Sequence, residues 1–444
     1  MVSVKLSLIP NFAIWDLPHD YPPTLSIPTV DKSSIFSRAP FSIPENLFFR
    51  SLDYKWPLLL ASSYVLIVKT WNYVNRQRGG KPWAISKTSG FFWFMVAHNV
   101  FLAVYSAWTF VGIVGAARRS FENPFTSPNG FRGTMDSLCR MQGTSGLGNA
   151  AIYNSSPSSQ SWFKSHPLTA GTIQTAVNAY LPKPDQLGRL WNEGLAFYGW
   201  WFYISKFYEF IDTAIILLKG KQSSTLQTYH HMGACGCLFV GIKYMSPPIW
   251  IFLFFNSFIH SLMYTYYTVT SFNIRVPKAI KRSLTTAQIT QFIVGGGSAL
   301  LHLFVYYKFP TSTSAIKSAI GLKDGDEPWV PCLDTSAQAF AVWFNVIYLT
   351  PLTYLFARFF VRSYLRSSST TAGAGQGKKK DVRSTLQAAE RAGKDAVEEF
   401  GRAEVLENTS AGRSTASAVG VNGNGNGNGV ASRKGWERTN KVVD

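Results

Sequence analysis

Seven long apolar stretches constrain the fold of this chain more than any other feature of its sequence. Each is close to the roughly 20 residues that an α-helix needs to cross the hydrocarbon core of a bilayer. Backbone polar groups must be bonded internally at that depth, which favours helices. The predicted spans are residues 56–74, 91–117, 195–218, 226–245, 248–270, 286–307 and 336–361. The sequence therefore predicts an all-α polytopic membrane protein with seven transmembrane helices.

The charge distribution predicts an orientation for these spans. The chain has 43 Lys and Arg against 24 Asp and Glu, an excess that nucleic-acid-binding proteins also show. Here the basic residues are concentrated in alternate connections, at 76–87, 219–221 and 275–282, and again at 358–366. By the positive-inside rule these segments are cytosolic. This pattern favours membrane topology over a nucleic-acid partner and places the N-terminus in the lumen and the C-terminus in the cytosol.

Composition divides the chain into three parts. Residues 1–55 are predicted to be an irregular or surface-lying lumenal segment, and no cleavable signal peptide is visible, so span one would start insertion. Residues 56–365 hold the seven helices, with a lumenal insertion at 118–190 that is rich in Ser, Gly, Pro and Asn. Residues 366–444 have the Gly-, Ser- and Lys-rich composition of a disordered cytosolic tail.

Two of the four cysteines fall in segments that this topology assigns to the oxidising side of the membrane. A disulfide between Cys139 and Cys332 is therefore predicted. The alternative is that both are free loop thiols. Cys235 and Cys237 lie inside span four, where packing of a small apolar side chain is the expected role.

Ionisable residues interrupt the third predicted span. Charges at membrane depth are costly, so they pair, face water or serve a function. Spacings of three, three and one place four of these polar residues near one stripe of a helix. They are Lys206, Glu209, Asp212 and Thr213, in the sequence KFYEFIDT. An ion pair between Lys206 and Glu209 that only holds helices together is the competing structural explanation.

Two adjacent histidines open the fourth predicted span. Gln227 lies three residues before His230 and four before His231, so it shares a helix face with both imidazoles. A single histidine on an apolar helix is more often structural than functional. Two in succession, with a polar side chain one turn earlier, favour a functional site.

Polar residues recur at helical spacing in three further spans. Such donors and acceptors cannot face hydrocarbon, so they are predicted to face the protein interior. Span two contains His98 and Asn99, which serve either inter-helix hydrogen bonding or a polar cavity. Spans five and six contribute Asn256, His260, Tyr264, Tyr267, Thr285, Gln288 and Gln291.

The predicted topology places all these groups at one depth, in the cytosolic half of the membrane. Basic residues of the cytosolic connections would surround the mouth of the resulting site. They include Lys219, Lys221, Lys281 and Arg282. Such a ring suits a ligand whose phosphates lie outside while an apolar tail is buried.

A histidine-rich membrane site first suggests a di-iron desaturase or hydroxylase, since imidazole is a common iron ligand. Members of that class resemble one another in carrying three histidine boxes, with about eight metal-ligating histidines in total. This chain has seven histidines in all, and His19 and His166 fall in loops on the opposite side. A channel, a receptor and a non-enzymatic seven-helix lipid-binding protein are further alternatives, although a channel or receptor would not need a His pair, an Asn-His pair and a carboxylate helix at one level.

The polar boxes resemble those of the ELO family of very-long-chain fatty acid elongases, the membrane 3-ketoacyl-CoA synthases. KFYEFIDT is similar to its KxxExxDT box, NSFIHSLMYTYY to its NxxxHxxMYxYY box and TTAQITQ to its TxxQxxQ box. QTYHH stands where the family has HxxHH. The boxes occur in family order over residues 56–365. Gln227 in place of the first histidine resembles lower-eukaryote, including fungal, elongases that act on polyunsaturated chains, and the usual Arg-Lys-Lys run is reduced to Lys219 and Lys221.

The resemblance implies condensation of an acyl-CoA with malonyl-CoA in the endoplasmic reticulum membrane, to give a 3-ketoacyl-CoA, CoA and carbon dioxide. It implies six helices around an acyl tunnel closed toward the lumen, and no cofactor or metal. Membrane lipid would surround the enzyme. A reductase and a dehydratase of the same elongation cycle are implied as partners.

The resemblance also implies roles for individual residues. His230 would attack the acyl thioester to form an acyl-imidazole; in a competing scheme His231 or His260 acts as a general base without a covalent intermediate. Hydrogen-bond donors for the enolate of malonyl-CoA would stabilise its charge. They would come from Asn256, His260, Gln288 and Gln291. Asp212 and Glu209 would orient His or Lys partners. Lys206 and Gln227 complete the implied catalytic set, and the implied substrate contacts are Thr213, Tyr264, Tyr267, Gln288, Gln291, Lys219, Lys221, Lys281 and Arg282.

Overall fold

The structure is a computed structural model that describes residues 3–10, 17–18, 27–142, 151–156, 159–164, 187–308, 329–333 and 335–365. The predicted C-terminal tail, 366–444, lies outside the described residues. So do residues 143–150, 157–158 and 165–186 of the predicted insertion, which include His166.

The described residues are mostly helical. In chain order the elements are β1 (Val4–Leu6), α1 (Glu45–Ser51), α2 (Lys55–Gln77), α3 (Ser89–Ser120), α4 (Gly130–Cys139), β2 (Ala151–Ser156), β3 (Ser159–Lys164), α5 (Ala196–Tyr208), α6 (Phe210–Leu218), α7 (Thr225–Lys243), α8 (Ile249–Ser271), α9 (Lys278–Leu301), β4 (Val305–Lys308), β5 (Trp329–Pro331) and α10 (Ser336–Phe360). A short 3₁₀ turn, Ala84–Lys87, precedes α3, and π-helical turns, Trp191–Leu195 and Val361–Leu365, precede α5 and follow α10.

The starts of the long helices follow from local sequence. Thr88, Ser224 and Thr335 each precede a helix and accept a hydrogen bond from the backbone N–H three residues later. This N-capping satisfies one of the amide groups that have no partner within the helix. Pro248 and Pro277 stand immediately before α8 and α9, where their missing N–H costs nothing.

Three described helices, α3, α8 and α10, are long and apolar enough to cross a membrane, by length and composition. This is consistent with a polytopic helical membrane protein. Large apolar side chains also cover outer surfaces of α2 and α9, with Leu58, Leu66 and Ile293 each more than half exposed. The predicted spans 56–74, 195–218 and 226–245 coincide with α2, with α5 and α6 together, and with α7.

Two predicted spans differ from the helices in the structure. The third is interrupted at Glu209, which separates α5 from α6. The prediction that the sixth reaches residue 307 is wrong, because α9 begins at Lys278, ends at Leu301 and is followed by strand β4. Tyr307 in that strand is buried, and its hydroxyl donates to Asp136 Oδ1 at 2.8 Å. The aromatic residues at 305–308 therefore belong to strand β4, which is hydrogen-bonded to α4, and not to a membrane helix.

The long helices alternate in direction, and their ends define two ends of the bundle. The loop end carries the connections 219–224 and 272–277, and the sheet end carries β1, β4 and β5. Between them, α5 lies at the centre of the largest apolar core. Its Phe197 and Tyr198 are fully buried in the same cluster as Ile113 of α3, Ile242 of α7 and Leu253 of α8.

The sheet end joins distant parts of the chain. Strand β1 pairs antiparallel with β4, with Val4 opposite Tyr307, and β4 pairs antiparallel with β5, with Tyr307 opposite Val330. A disulfide joins Cys139 to Cys332, whose Cα atoms are 4.8 Å apart. Asp136 accepts a hydrogen bond from Arg189 at 2.6 Å as well as the one from Tyr307. Helix α4 is thereby fixed to the sheet by covalent and polar contacts.

The described part of the N-terminal segment packs into the bundle and is not merely surface-lying. Phe48 of α1 is fully buried. Arg38 and Arg119 each donate through Nε to Glu193 Oε2 at 2.8 Å. Burial opposes ionisation of Glu193, but the hydrogen bonds from the two guanidinium groups outweigh it and lower the pKa of this carboxyl. This Arg38–Glu193–Arg119 clamp ties the segment to α3 and to the start of α5.

The loop end is held by a close backbone approach. Gly220 has a φ of +75°, and a Cβ placed on it would lie 2.5 Å from the carbonyl oxygen of Gly80. Asn75 of α2 donates to the carbonyls of Leu217 at 2.8 Å and Lys221 at 2.9 Å. These contacts fix the connection between α6 and α7 relative to α2, and α7 begins at the end of this connection.

Candidate active site

A polar cavity of about 510 Å³ lies at the loop end of the bundle. Helices α3, α6, α7, α8, α9 and α10 all contribute to its wall. The residues predicted for the site that line it are Asp212, Lys219, Gln227, His230, His231, His260, Tyr264, Tyr267, Lys281, Thr285 and Gln288. Most of the predicted residues thus come together in one space, although they are spread over almost eighty positions of the sequence.

A smaller, mainly apolar cavity of about 60 Å³ lies beside it. Four predicted residues line this second cavity: Lys206, His230, Asn256 and Gln291. The remainder of its wall is largely aromatic and aliphatic, from Phe202, Leu238, Phe252, Phe255, Phe292, Leu349 and Leu352, with Asn345 and Tyr348 as further polar members. His230 belongs to both cavities, so its imidazole stands at the boundary between a polar and an apolar space.

The two adjacent histidines have different partners. Gln227 Nε2 lies 2.8 Å from Nε2 of His231, as expected for residues four apart on a helix. With the amide donating, this ring nitrogen carries the lone pair and the proton is on Nδ1. The hydroxyl of Tyr348 donates to the backbone oxygen of His230 at 2.9 Å and lies 3.4 Å from its Nδ1. His231 is thereby fixed from its own helix and His230 from α10.

A buried ion pair lies next to the histidines. Lys206 Nζ donates to Glu209 Oε1 at 2.6 Å and to Asn256 Oδ1 at 3.1 Å. His260 Nδ1 is 3.7 Å from the same Glu209 oxygen, which is beyond hydrogen-bond distance. Because Oδ1 of Asn256 is used by Lys206, the amide NH₂ is the part of Asn256 able to donate to a ligand. The ion pair between Lys206 and Glu209 is thus present, and Lys206 also orients Asn256, which lines the apolar cavity.

Asp212 connects three helices. Its Oδ1 lies 2.7 Å from Nε2 of His98 on α3, and its Oδ2 accepts from the Tyr264 hydroxyl on α8 at 2.6 Å. The sequence suggested two roles for His98, and the structure gives it an inter-helix hydrogen bond, while its neighbour Asn99 lines the polar cavity. Asp212 thus orients a histidine, but it is His98 rather than one of the histidine pair.

The four residues predicted to lie near one stripe of the third span contact different partners. Glu209 separates α5 from α6 and accepts from Lys206, which lines the apolar cavity and also donates to Asn256. Asp212 contacts His98. Thr213 lies elsewhere, with its Oγ1 2.9 Å from the Tyr64 hydroxyl on α2.

The predicted ring of basic residues is only partly present at the polar cavity. Lys219 and Lys281 line it, and Lys219 Nζ lies 2.9 Å from Met95 Sδ. Burial, together with the charge of Lys221, lowers the pKa of Lys219. Lys221 itself is exposed and does not line this cavity, because the turn at Gly220 directs it away. Arg282 lines a different space, between α8 and α9.

Asn345 and Tyr348 are site residues that the sequence analysis missed. They lie three residues apart in the apolar helix α10, the same signal that drew attention to the other polar groups. Gly233 of α7 allows the contact, since a Cβ there would fall 1.9 Å from the Tyr348 ring. Close helix packing of this kind depends on a tertiary contact that one sequence does not reveal.

The remaining cysteines are buried near the histidines. Cys235 Sγ donates to the backbone oxygen of His231 at 3.4 Å, which fits a packing role, and Cys237 lines the apolar cavity. Among the described residues, no group of three or more His, Cys, Asp or Glu side chains is arranged to hold a metal ion.

Comparisons with known proteins identify relatives of this chain. The profile of the ELO family, described as GNS1/SUR4, matches residues 50–372. The human very long chain fatty acid elongase 4 is 30% identical over 179 residues, covering 39% of this chain and 48% of that protein. A putative fatty acid elongase of Dictyostelium discoideum is 35% identical over 190 residues, covering 40% and 54%. The chain spans about half the length of the curated relatives it matches, and no solved structure matches it.

Proposed function

Because this chain belongs to the ELO family of fatty acid elongases, we propose that it condenses a long-chain acyl-CoA with malonyl-CoA. The products are CoA, carbon dioxide and a 3-ketoacyl-CoA two carbons longer. This would make it an acyltransferase of the very-long-chain 3-oxoacyl-CoA synthase class. The relatives named as elongases support fatty acid elongation, and the arrangement of the site supports this particular step.

The position of His230 at the boundary of two cavities is the observation that carries the proposal. An acyl-CoA is a large anionic head joined to a hydrocarbon tail through one thioester carbon. A polar cavity with Lys219 and Lys281 suits the head, because ammonium groups bind phosphates. An apolar cavity suits the start of the tail, and the thioester would then lie at His230.

In the first half of the reaction, His230 is the proposed nucleophile. The lone pair of its neutral imidazole attacks the thioester carbon, the carbon–sulfur bond breaks, and CoA leaves as a thiol with the proton from the imidazole. An acyl-imidazole remains. The Tyr348 hydroxyl bonds the backbone oxygen of His230 and lies 3.4 Å from its Nδ1, so little reorganisation is needed when attack occurs.

In the second half, malonyl-CoA enters the polar cavity and loses carbon dioxide, leaving an enolate whose carbon attacks the acyl-imidazole. The new carbon–carbon bond forms as the bond to His230 breaks, and the departing imidazolate takes a proton from water, which restores the neutral imidazole. Fixed donors stabilise the enolate oxygen by a few kcal/mol each. Asn256 and Gln291 line the apolar cavity, and His260 and Gln288 line the polar one. The four are therefore placed on both sides of His230.

The competing mechanism uses His231 or His260 as a general base without a covalent intermediate. The Gln227 contact at His231 Nε2 occupies the lone pair that a base would need. His260 Nδ1 has no hydrogen-bond partner among the described residues, so it remains the stronger candidate for that role. Labelling with radioactive acyl-CoA in the absence of malonyl-CoA separates the schemes: a labelled protein supports the covalent route, and unlabelled, active protein supports the base.

The wider setting is proposed from the family and the charge pattern together. Seven helices would cross the endoplasmic reticulum membrane, six of them around the acyl tunnel, with the N-terminus in the lumen and the C-terminus in the cytosol. The loop end of the bundle would then face cytosolic acyl-CoA and malonyl-CoA. A reductase and a dehydratase would process the product. Gln227 in the histidine box favours polyunsaturated chains as substrates.

A condensation assay tests the proposal. Protein purified in detergent is given labelled malonyl-CoA and a panel of saturated, monounsaturated and polyunsaturated acyl-CoAs. Labelled 3-ketoacyl product is expected from wild type and is expected to be lost in His230→Ala. His302→Ala is the matched control, because His302 lies at the sheet end and bonds only the backbone of its own helix among the described residues. Folded wild-type protein that forms no product with any acyl-CoA would refute the proposed reaction.

A further inference from the structure

A third space lies between α8 and α9, on the outer side of the helix wall. This crevice has a volume of about 630 Å³, within the roughly 300–1,000 Å³ of typical ligand sites. Phe258 and Val294 line it and are 44% and 43% exposed, so it opens on a surface of the bundle that would face lipid. Phe255 and Gln291 line both the crevice and the apolar cavity and form the wall between them. A molecule in the crevice would therefore lie outside the space proposed for the acyl-CoA.

The deeper part of the crevice is an apolar groove. Phe110 of α3 packs against Phe254 and Phe258 of α8, with ring centroids 5.1 Å and 5.2 Å away, and all three rings line the groove. The α9 side contributes short side chains, Ala287 and Val294. Large rings opposite small side chains leave a slot, and a hydrocarbon chain lying in it would make close van der Waals contacts along its length.

The loop end of the crevice is basic. Arg282 lines it beside Ser283, and among the described residues no carboxylate lines the crevice or pairs with this guanidinium. Arg282 is exposed and lies over the ring of Phe360, 5.8 Å from its centroid. Arg275 and Lys278, close by in the sequence, add two positive charges at this end. The paired N–H donors of a guanidinium match the oxygens of a phosphate.

The length of the crevice matches one leaflet of a bilayer. Arg282 and Val294 are 12 positions apart on α9, which corresponds to about 18 Å of helix. Half of a hydrocarbon core of about 30 Å is about 15 Å. A phosphate bound to Arg282 would thus lie at the membrane boundary, with an attached acyl chain extending along the apolar groove toward Val294.

We propose that the crevice is a binding site for one glycerophospholipid with an anionic headgroup, taken from the leaflet at the loop end of the bundle. The phosphate lies on Arg282, and one acyl chain lies in the groove between α8 and α9. Basic pockets between transmembrane helices bind anionic headgroups in this way. In the proposed orientation the leaflet is the cytosolic one, which is rich in anionic lipid. The site is separate from the reaction at His230.

Lipid binding to the purified full-length protein tests the headgroup preference. Delipidated protein in detergent is titrated with phosphatidylserine or phosphatidylcholine, and bound lipid is counted by native mass spectrometry. We expect phosphatidylserine to bind about tenfold more tightly, and Arg282→Gln to reduce this preference about fivefold, equivalent to about 1 kcal/mol. Lys278→Gln is the matched control, because it removes the same charge from an exposed position of the same helix outside the crevice lining. Equal affinity for the two lipids, or an equal effect of the two substitutions, overturns the proposal.

Photolabelling locates the bound lipid chain. Full-length protein in phosphatidylcholine nanodiscs is irradiated with phosphatidylserine that carries a diazirine at the end of one chain, and labelled peptides are mapped. Label on Phe258 or Val294 that unlabelled phosphatidylserine removes supports the proposal. Thr290→Trp places an indole in the crevice and should abolish this label, whereas Ile293→Trp, on the same helix, 61% exposed and outside the lining, should keep it.

Two results of the photolabelling overturn the site. One is crevice label that persists in a folded Thr290→Trp protein. The other is label that is absent from the crevice in wild type, as when a second copy of the chain covers it. Neither binding measurement uses turnover, so an inactive wild type would refute the proposed reaction without bearing on the lipid site.

Discussion

His230 is held by contacts from two helices, and these contacts fix the position of the residue. Its own helix begins at the Ser224 cap, and the Tyr348 hydroxyl reaches its backbone oxygen from α10. A nucleophile gains rate from being held near its attack geometry. The contact from α10 is therefore expected to matter for the chemical step more than for substrate binding.

Replacing Tyr348 with Phe tests that expectation. The change keeps the ring and removes the hydroxyl, so we expect kcat to fall about tenfold, equal to ~1.4 kcal/mol, with little change in KM. Tyr354→Phe is the control, because Tyr354 lies on the same helix and is 64% exposed. The measurement is steady-state condensation together with the rate of acyl-enzyme formation. A matching rise in KM with kcat unchanged would show that Tyr348 binds substrate instead.

At this scale the sequence predicted most members of the site and few of their contacts. A polar residue in an apolar span is visible without a structure, which is why His230, Asn256 and Gln288 could be predicted. The partners of Asp212 could not, because His98 lies 114 positions away and nothing local links them. Tyr348 was missed although it lies three residues after Asn345 in an apolar helix, because its contact with α7 depends on helix packing that one sequence does not reveal.

The charged residues around the interruption between α5 and α6 contact different partners. Lys206, which lines the apolar cavity, bonds Glu209, whereas Asp212 bonds His98 and Tyr264. An uninterrupted helix was predicted from spacing alone, since periodicity assumes constant geometry. Spans and polar boxes were predictable because composition and period determine them. The break and the strand at Val305–Lys308 depend on tertiary contacts, as with Tyr307 and Asp136.

The turn at Gly220 offers a test at the scale of elements. Gly220→Ala would place a Cβ 2.5 Å from the Gly80 oxygen at a φ of +75°. We expect a loss of stability of about 2 kcal/mol, measured by thermal unfolding in detergent. Gly297→Ala is the control, because a Cβ there meets nothing within 4 Å and alanine in a helix is favoured by up to about 1 kcal/mol. Equal behaviour of the two variants would show that the turn does not position α7.

At the scale of the whole molecule, contacts at the sheet end hold distant segments of the chain together. The Arg38–Glu193–Arg119 clamp joins the N-terminal segment to two helices, and the β1–β4–β5 sheet joins it to the last third of the chain. These contacts lie far from His230, so damage to them should lower stability rather than alter the reaction.

The clamp predicts an acid-sensitive component of stability. The folded-state pKa of Glu193 is below its ordinary value of 4.5, so its contribution is fully present above that value and is lost as pH falls through the folded pKa. Glu193→Gln should cost about 3 kcal/mol at neutral pH, since it removes one partner of a buried ion pair, and should weaken the dependence on acid below pH 4.5. Unfolding midpoints across pH measure this. Glu45→Gln, at an exposed position, should behave as wild type.

The disulfide is predicted to make a second contribution to the stability of the fold. Cys139 and Cys332 should appear as one cross-linked peptide in non-reducing mapping, and alkylation of both as free thiols would contradict the bond. The double variant Cys139→Ser/Cys332→Ser should be less stable by about 3 kcal/mol. Its acyl-chain preference should stay as in wild type, because the bond lies at the opposite end of the bundle from the polar cavity.

The pairing of β1 with β4 sets an order of assembly during synthesis. Strand β1 is made before its partner β4, which follows roughly 300 residues later in the chain. At a translation rate of about 5–20 residues per second, β1 waits roughly 15–60 seconds with an unpaired edge. Its natural partner emerges only after most of the helices have been inserted. Completion of this sheet is thus a late event in biogenesis, and a chain stopped before β4 would leave that edge open to chaperones or to quality control.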